Sequence, residues 1–303
     1  MTVGLVLLVV GAHLLVRGAS SLARTLGISP LVVGLTVVAL GTSSPEIAVG
    51  VASVLTGPGG SSVAVGNVVG SNIFNVLVVL GASALFVPLR TRFDVIRLEI
   101  PLTVGLSVLV FILGWNGLLS AWEGALLLAI GVGYLWFVVQ RARKGAEGTW
   151  PLVAGDAASG ALREPDWSDY LRSGSFVAGG LILLVLGSDW MVEDALRMAD
   201  RWGVSELVVG LTVVATGTSL PELASSLAAV RAGEQDIAVG NVVGSNIVNL
   251  LFVLGLTAAV APSSLPVRPV ALGVDLPVMI ACAVAALPIF WTGYEIARWE
   301  GAL

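Results

Sequence analysis

Histidine and cysteine are almost absent from the 303 residues, which contain one of each, His13 and Cys282. Because the cysteine stands alone in an apolar run, an intramolecular disulfide and a cysteine-ligated metal site are excluded. The histidine aligns with Asp189 in the second half of the chain, but a lone imidazole near a helix end is more often structural than functional. Chemistry that depends on sulfur or on clustered imidazoles is therefore not expected.

Charged residues are also scarce, at 12% of the chain, while 56% is hydrophobic and the mean hydropathy is +0.97. Soluble domains carry about 25% charged residues, so a soluble globular fold is excluded. The N-terminus lacks the basic region and the small-residue cleavage site of a signal peptide. The composition therefore predicts an all-α integral membrane protein.

Apolar segments of the roughly 20 residues that a membrane-spanning helix needs recur along the whole chain. Short polar breaks separate them. Nine spans are predicted, near residues 3–22, 31–55, 63–86, 99–115, 123–140, 175–192, 206–230, 237–260 and 270–291.

Two long identities show that the chain contains an internal repeat. "LVVGLTVVA" occupies 31–39 and again 207–215, each time followed by x-Gly-Thr-Ser-x-Pro-Glu, and "AVGNVVGSNI" occupies 64–73 and again 238–247. The first half contains five predicted spans. Since an odd number of spans makes the second half enter from the opposite side, the halves are predicted to be inverted repeats with a site at their interface.

The repeat defines three regions: a first repeat at 1–140, a cytoplasmic linker or short surface helix at 141–174, and a second repeat at 175–303. "WEGAL" begins the fifth span at 122–126 and recurs at 299–303, where the printed sequence stops. We therefore expect two five-helix repeats, with the tenth helix missing from this chain. The natural gene product should continue for about 15–20 apolar residues to complete that span. The C-terminus of the 303 residues is expected in the cytoplasm.

The distribution of basic residues predicts the orientation of the spans. With the N-terminus outside, only Arg197, Arg201 and Arg268 of the 15 Lys and Arg residues fall in outer loops. The positive-inside rule favours this arrangement. We expect a multi-pass protein of the cell membrane, plasma or inner, with the linker in the cytoplasm.

Each repeat places a carboxylate in the middle of its second span, at Glu46 and Glu222. Such a residue costs about 2.5–3.5 kcal/mol on insertion scales and by default marks an ion or proton pathway. The alternative is a structural acid paired with Arg or Lys, but no cationic side chain lies within the predicted core spans. The other acids, Asp94, Glu99, Glu123, Asp275 and Glu295, lie near span ends, where solvated or interfacial roles are expected.

A proline precedes each of these acids. Pro45 and Pro221 remove a backbone donor and free the carbonyl about four residues earlier, at Gly41 and Gly217, and broken helices are tolerated in membranes where they line a cavity. The freed carbonyls are candidate cation ligands. The alternative is a simple kink, which does not explain the paired acids. Hydroxyl oxygens lie one turn from the acids, at Thr42, Ser43, Thr218 and Ser219.

The Gly-Asn segments supply further oxygen atoms. Ser71 and Asn75 share a helix face, as do Ser245 and Asn249, because each pair is spaced i, i+4. Interhelical hydrogen bonding is the expected role of some asparagines, in particular those a turn away, at Asn67 and Asn241.

All these candidate ligands are oxygen atoms, which hard cations such as Ca²⁺ prefer, in sets of 6–8, and soft ligands are missing. Two carboxylates balance one divalent cation. An empty site would leave two bare carboxylates in a low dielectric, which opposes occlusion. Exchange rather than leak is the expected outcome.

The paired Gly-Thr-Ser-x-Pro-Glu and Gly-Asn-x-x-Gly-Ser-Asn motifs resemble the two alpha repeats of the calcium:cation antiporter superfamily, and the sodium/calcium exchanger branch in particular. The resemblance implies two five-helix repeats whose second and third helices line the site. It implies calcium ligands at Glu46, Glu222, Thr42 and Thr218. It implies sodium ligands at Ala39, Ser43, Glu46, Ser71, Asn75, Ala215, Ser219, Glu222, Ser245 and Asn249, with the alanines acting through their carbonyls.

The resemblance also bears on potassium, because potassium-dependent relatives carry an acid where this chain has Asn249. Potassium coupling is therefore not expected. The predicted function is Ca²⁺/Na⁺ antiport by alternating access, without a cofactor, in a lipid bilayer, and without nucleic acid or an obligatory protein partner. The alternatives are proton coupling on the same fold, a cation channel, which usually builds its pore on a symmetry axis, and an intramembrane enzyme, for which the catalytic motifs are missing.

Overall fold

The computed structural model describes residues 2–55, 61–90, 95–147, 166–201, 215–291 and 293–302. Within these ranges the chain is built from helices joined by short turns, with four two-residue strands. The helices are α1 (Thr2–Leu26), α2 (Pro30–Leu55), α3 (Ala64–Phe86), α4 (Val95–Asn116), α5 (Ala121–Glu147), α6 (Trp167–Arg201), α7 (Leu220–Arg231), α8 (Gln235–Val260), α9 (Ala271–Trp291) and α10 (Arg298–Gly301).

Eight of the described helices are long and apolar enough to cross a membrane, namely α1 to α6, α8 and α9. They correspond to eight of the nine predicted spans, and the all-α membrane architecture is confirmed. The remaining predicted span, 206–230, lies partly outside the described residues. Its described part consists of the helical turn Ala215–Thr218 and α7.

Helices α5 and α6 are longer than hydropathy predicts, and both extend into the predicted linker 141–174. α5 continues to Glu147 and α6 begins at Trp167. Hydropathy identifies only the apolar part of a helix, whereas Arg, Lys, Ala and Glu continue it beyond the bilayer because they are good helix formers. At the start of α6, Asp166 Oδ1 accepts a hydrogen bond from Trp167 N at 2.7 Å, and Asp169 Oδ2 accepts one from Asp166 N at 3.0 Å.

The short strands pair across the two halves of the chain. β1 (Leu89–Arg90) pairs antiparallel with β4 (Glu295–Ile296), and β2 (Leu118–Leu119) pairs antiparallel with β3 (Leu265–Pro266). Each strand of the first repeat therefore takes its partner from the second. This exchange is the arrangement expected of two repeats related by a pseudo-twofold axis.

The two "WEGAL" segments pack in equivalent places. A Cβ at Gly124 would lie 2.6 Å from the carbonyl oxygen of Gly255 near the end of α8, and a Cβ at Gly301 would lie 2.7 Å from that of Gly81 near the end of α3. Such contacts leave no room for a side chain, so glycine is required at both places. The packing supports the alignment of α5 with the residues that begin at Arg298.

Helices α1 and α6 form a closely packed antiparallel pair. A Cβ at Gly4, Gly11 or Gly18 of α1 would lie within 2.9 Å of the backbone of α6, and Gly180 and Gly187 of α6 face α1 in the same way. Small residues at this seam allow the two backbones to touch, which is how helices gain contact in a medium as apolar as their side chains.

Helix α8 lies at the centre of the molecule, because every residue from 237 to 248 is buried. It crosses α2 closely: a Cβ at Gly240 would lie 2.7 Å from Leu31 O, and one at Gly244 would lie 2.8 Å from Leu35 O. The second helix of the first repeat thus packs against the third helix of the second repeat. This crossing brings the two repeated motifs together.

The acids near span ends are not all solvated. Glu99, at the start of α4, is buried, and Tyr134 of α5 donates a hydrogen bond to its Oε2 at 2.8 Å. A solvated role for Glu99 is wrong, because α5 covers this helix end, which hydropathy cannot show. Asp275, at the equivalent place on α9, is half-buried, and Asp94 lies outside the described residues.

Candidate ion-binding site

The second helix of each repeat is interrupted next to its proline. Ser43 leaves the helical conformation with φ −80° and ψ 7°, and Ser219 does so with φ −92° and ψ 6°. Each proline then falls in the first turn of the following helical segment, where its missing N–H leaves no hydrogen bond unmade. The predicted break therefore becomes two helix ends that meet at a buried point.

The carbonyls that the prolines free accept hydrogen bonds from serine hydroxyls. Ser44 Oγ donates to Gly41 O at 2.7 Å, and Ser188 Oγ, from α6, donates to Gly217 O. Each carbonyl already has one hydroxyl partner, but a carbonyl oxygen has two lone pairs, so its role as a cation ligand stays a prediction. The sequence did not reveal the role of the Ser188 hydroxyl, because its contact depends on how α6 crosses the helical turn Ala215–Thr218.

The two carboxylates are buried and joined across the repeats. Ser43 Oγ donates to Glu222 Oε1 at 3.2 Å, and Ser219 Oγ donates to Glu46 Oε1 at 3.3 Å. Each serine lies three residues before the carboxylate of its own repeat. The reciprocal bonds therefore place the two Pro-Glu segments side by side about the pseudo-twofold axis.

The threonines make a second reciprocal pair. Thr42 Oγ1 donates to Asn241 Oδ1 at 3.1 Å, and Thr218 Oγ1 donates to Asn67 Oδ1 at 3.2 Å. These bonds join α2 to α8 and the second half's broken helix to α3. The expectation of interhelical hydrogen bonding at Asn67 and Asn241 is confirmed by these contacts.

The serines and asparagines of α3 and α8 complete the cluster. Ser71, Asn75, Ser245 and Asn249 are all fully buried, and Ser245 Oγ donates to Glu222 Oε1 at 3.4 Å. Each helix widens into a π-helical segment that begins at the candidate ligand, Asn75–Leu80 in α3 and Asn249–Val253 in α8. π-Helical turns are frequent at functional sites, and the sequence contains no signal for them.

Unpartnered oxygen atoms concentrate in this cluster. Among the described residues, eight buried side-chain polar atoms have no hydrogen-bond partner, and five of them are oxygens of the candidate ligands. A buried polar atom without a partner costs roughly 1–3 kcal/mol, so five in one place indicate ligand atoms. They are Glu46 Oε2, Glu222 Oε2, Ser71 Oγ, Asn75 Oδ1 and Asn249 Oδ1.

The remaining candidates differ in how close they come to this cluster. The carbonyl of Ala39 accepts bonds from Ser43 N at 3.0 Å and Thr42 Oγ1 at 3.4 Å, beside the helix break, and Ala215 begins the helical turn of the second repeat. His13, by contrast, is exposed on α1, and its ring nitrogen contacts Val9 O at 3.3 Å. The structure therefore gives the imidazole no part in the cluster.

The clustered oxygens, the reciprocal bonds and the broken helices together describe a cation site between inverted repeats. The family model described as sodium/calcium exchanger protein matches residues 1–140 and 173–303. The chain belongs to the sodium/calcium exchanger family. Members of this family are secondary transporters rather than enzymes, so the chain is a cation antiporter and a multi-pass membrane protein.

Individual relatives agree with the family over most of their length. The chain is 38% identical over 295 residues to the inner membrane protein YrbG of Escherichia coli (strain K12), covering 95% of this chain and 87% of YrbG. It is 35% identical over 328 residues to the sodium/calcium exchanger MaX1 of Methanosarcina acetivorans, covering 99% and 93%. Its fold matches a solved structure of the sodium-calcium exchanger NCX_Mj with a TM-score of 0.82 at 29% identity, covering 100% of this chain and 92% of that one.

Proposed function

We propose that this exchanger moves Ca²⁺ in one direction and Na⁺ in the other, at the cluster formed by the broken helices and by α3 and α8. The observation that carries the proposal is the set of five unpartnered, buried oxygens among the described residues. Carboxylate, hydroxyl and amide oxygens are the ligands that hard cations take in proteins. The two similar proteins MaX1 and NCX_Mj are named as sodium/calcium exchangers.

The charge of the cluster supports a divalent cargo. Glu46 and Glu222 are its only acids among the described residues, and the amides at Asn75 and Asn249 are neutral. Two carboxylates neutralise one Ca²⁺, whereas the bare pair would face the low dielectric of the membrane interior at a large desolvation cost. Neutralisation by Ca²⁺, or by more than one Na⁺, therefore favours the closed state through which the site changes sides.

We propose one set of ligands for Ca²⁺ and a second, overlapping set for Na⁺. Glu46 and Glu222 bind Ca²⁺ together with Thr42 and Thr218. The sodium ions share the two carboxylates and use the remaining oxygens, at Ala39, Ser43, Ser71, Asn75, Ala215, Ser219, Ser245 and Asn249. We propose further that the N-terminus is outside and that the segment between α5 and α6 is cytoplasmic, because this orientation places most basic residues inside.

Ion flux in sealed proteoliposomes tests the counter-ion. Vesicles loaded with Na⁺ and diluted into Na⁺-free medium should take up ⁴⁵Ca²⁺, and an outward H⁺ gradient imposed without Na⁺ should not replace the Na⁺ gradient. Uptake driven by the H⁺ gradient alone would establish the proton-coupled alternative instead. Uptake that follows the Ca²⁺ gradient without any counter-ion would indicate a channel.

The control for this assay is a variant that changes an acid outside the cluster. Glu193 is exposed on α6 and pairs with Arg197 at 2.6 Å, so Glu193→Gln removes one negative charge from the surface. Exposed ion pairs contribute little to stability, and this variant should transport Ca²⁺ at the rate of the unmodified protein. Equal losses in Glu193→Gln and Glu222→Gln would argue against a specific role for the central carboxylate.

A further inference from the structure

Two buried asparagines outside the proposed ligand set contact two that are inside it. Asn249 Nδ2 donates to Asn72 Oδ1 at 3.1 Å, and Asn75 Nδ2 donates to Asn246 Oδ1 at 3.1 Å. Each bond runs from one repeat to the other. All four side chains are at least 97% buried.

These contacts bear on which end of an amide can face a cation. An asparagine side chain carries an oxygen that binds cations and, at nearly the same size, an NH₂ group that repels them. At Asn75 and Asn249 the NH₂ group is held by the other repeat, and Oδ1 has no hydrogen-bond partner among the described residues. The neighbouring asparagine therefore determines that the oxygen is the free end.

The orientation of Asn72 is itself fixed. Its Nδ2 lies 3.5 Å from Asn246 O and 3.6 Å from Met279 Sδ, so both ends of this amide are engaged. If Asn72 only joined helices, either end could point at Asn249. With its nitrogen anchored elsewhere, only its acceptor can face Asn249.

We propose that Asn72 and Asn246 are positioning residues that orient the amide oxygens of Asn249 and Asn75 toward the transported ions. This inference rests on the proposed function, in which those two oxygens bind Na⁺. Groups that orient ligands without touching the ion typically change metal affinity 10–100-fold when they are replaced. The same mechanism predicts a specific pattern of rescue.

The rescue uses the symmetry of a carboxylate. Asn249→Asp places an oxygen at both ends of the side chain, so the orientation that Asn72 imposes no longer matters. Asn75→Asp does the same for Asn246. We therefore compare Asn72→Leu and Asn246→Leu alone with the same changes made in the Asn249→Asp and Asn75→Asp backgrounds.

The measurement is the Na⁺ concentration that gives half-maximal ⁴⁵Ca²⁺ exchange. K⁺ is present at the same fixed concentration for every variant, because Asn249→Asp places an acid where potassium-dependent relatives carry one. Asn72→Leu should raise it about tenfold in the unmodified protein but less than about twofold in the Asn249→Asp background. In the Asn75→Asp background Asn72→Leu should keep its full effect. Asn246→Leu should show the opposite pattern, so each rescuing change is the control for the other.

A second readout does not require transport. Na⁺ should raise the thermal unfolding temperature of the detergent-solubilised full chain, and the midpoint of that titration should shift in the same pattern. If the leucine variants do not fold, Asn72→Ala and Asn246→Ala replace them in both measurements.

Each outcome has one meaning. If Asn72→Leu raises the half-maximal Na⁺ concentration by the same factor in all backgrounds, Asn72 has a purely structural role and the inference is overturned. Rescue by the wrong partner, Asn75→Asp in place of Asn249→Asp, would also overturn it. Failure of the unmodified protein to couple Ca²⁺ to Na⁺ would instead reject the proposed function, which is a distinguishable result.

Discussion

The amide nitrogen of Asn241 donates to Ser225 Oγ at 3.0 Å and to Ser226 Oγ at 2.9 Å. The amide nitrogen of Asn67, at the equivalent place in the first repeat, is buried without a hydrogen-bond partner among the described residues. Both asparagines accept a bond from the threonine of the opposite repeat. The same motif residue is therefore held by more hydrogen bonds in the second repeat than in the first.

The cause lies in the helix segment that follows each acid. Where the second repeat has two serines, the first has Val49 and Gly50. A serine at Gly50 would force Thr257 to move, because a Cβ there would lie 2.5 Å from Thr257 Oγ1 of α8. Close contact between α2 and the end of α8 thus replaces a hydroxyl that would otherwise support Asn67.

The carbonyls at the helix breaks show a second difference. In the first repeat the hydroxyl on Gly41 O comes from Ser44 of the same helix, and in the second the hydroxyl on Gly217 O comes from Ser188 of α6. One break is therefore closed locally, and the other is tied to a neighbouring helix. Inverted repeats reproduce the backbone and the ligands but not the side chains that support them.

Replacing either central carboxylate should have the largest effect on transport. It tests whether Glu46 and Glu222 are equivalent although the hydrogen bonds around them differ between the repeats. Glu46→Gln and Glu222→Gln should each reduce Na⁺-driven ⁴⁵Ca²⁺ uptake by more than the roughly 10–100-fold that is typical of groups that only orient a ligand, because either change leaves one negative charge to balance a divalent cation. Both variants should remain folded, with Glu193→Gln as the matched control. Near-normal exchange in one of the two would show that only the other carboxylate binds Ca²⁺.

A smaller effect is expected on stability, where replacing Asn241 should cost more unfolding free energy than replacing Asn67. Asn241→Leu removes bonds to two serines and to Thr42, and at about 1 kcal/mol for each hydrogen bond the expected loss of unfolding free energy is about 2–3 kcal/mol. Asn67→Leu removes one bond and an unpartnered donor, so its loss should be about 1 kcal/mol or less. Chemical unfolding in detergent measures both, and equal losses would contradict the comparison.

Giving Asn67 a partner provides the reverse test. Val49 occupies the place of Ser225 and is half-buried, so Val49→Ser offers a hydroxyl without the clash at Gly50. The new hydrogen bond should offset most of the stability lost with the buried apolar surface of Val49, so the free energy of unfolding should change by no more than about 1 kcal/mol. When Asn67→Leu is also present, Val49→Ser should destabilise more, and the size of the coupling in this double-mutant cycle is the measurement.

The serines that bond to the two helix breaks should also differ in how much they contribute to the free energy of unfolding. Ser188→Ala leaves the buried Gly217 carbonyl without its hydroxyl and should cost about 1–2 kcal/mol. Ser44 is exposed, so Ser44→Ala should change the unfolding free energy by about 0.5 kcal/mol or less. A loss at Ser44 larger than the loss at Ser188 would show that the local bond stabilises the first break more than the bond from α6 stabilises the second.

The sequence predicted the parts of this molecule that depend on local pattern. Apolar runs gave the spans, the two "AVGNVVGSNI" segments gave the repeat, and Pro45 and Glu46 gave the break and its acid. These features are encoded within a few residues, or within one repeat unit that occurs twice.

Features that depend on helix crossings could not be predicted. Ser188 is one hydroxyl among many on α6 until the fold brings it to Gly217. The burial of Glu99 depends on Tyr134, 35 positions later. Asn72 and Asn246 belong to the repeated motif, and their spacing three residues before Asn75 and Asn249 was the available signal, but their role requires knowing which repeat each amide faces.

The smallest expected effect concerns potassium. The two amides Asn75 and Asn249 are neutral at both equivalent places, so the part of the cluster that the structure describes contains no third carboxylate to bind K⁺. Exchange should therefore run with Na⁺ and Ca²⁺ alone, and added K⁺ should change the rate no more than the same concentration of choline, which alters only ionic screening. Because choline controls for ionic strength, any rate difference between the two salts isolates a K⁺ site. A strict requirement for K⁺ would mean that an acid elsewhere supplies the missing charge, and the buried Glu99 would be the first residue to replace.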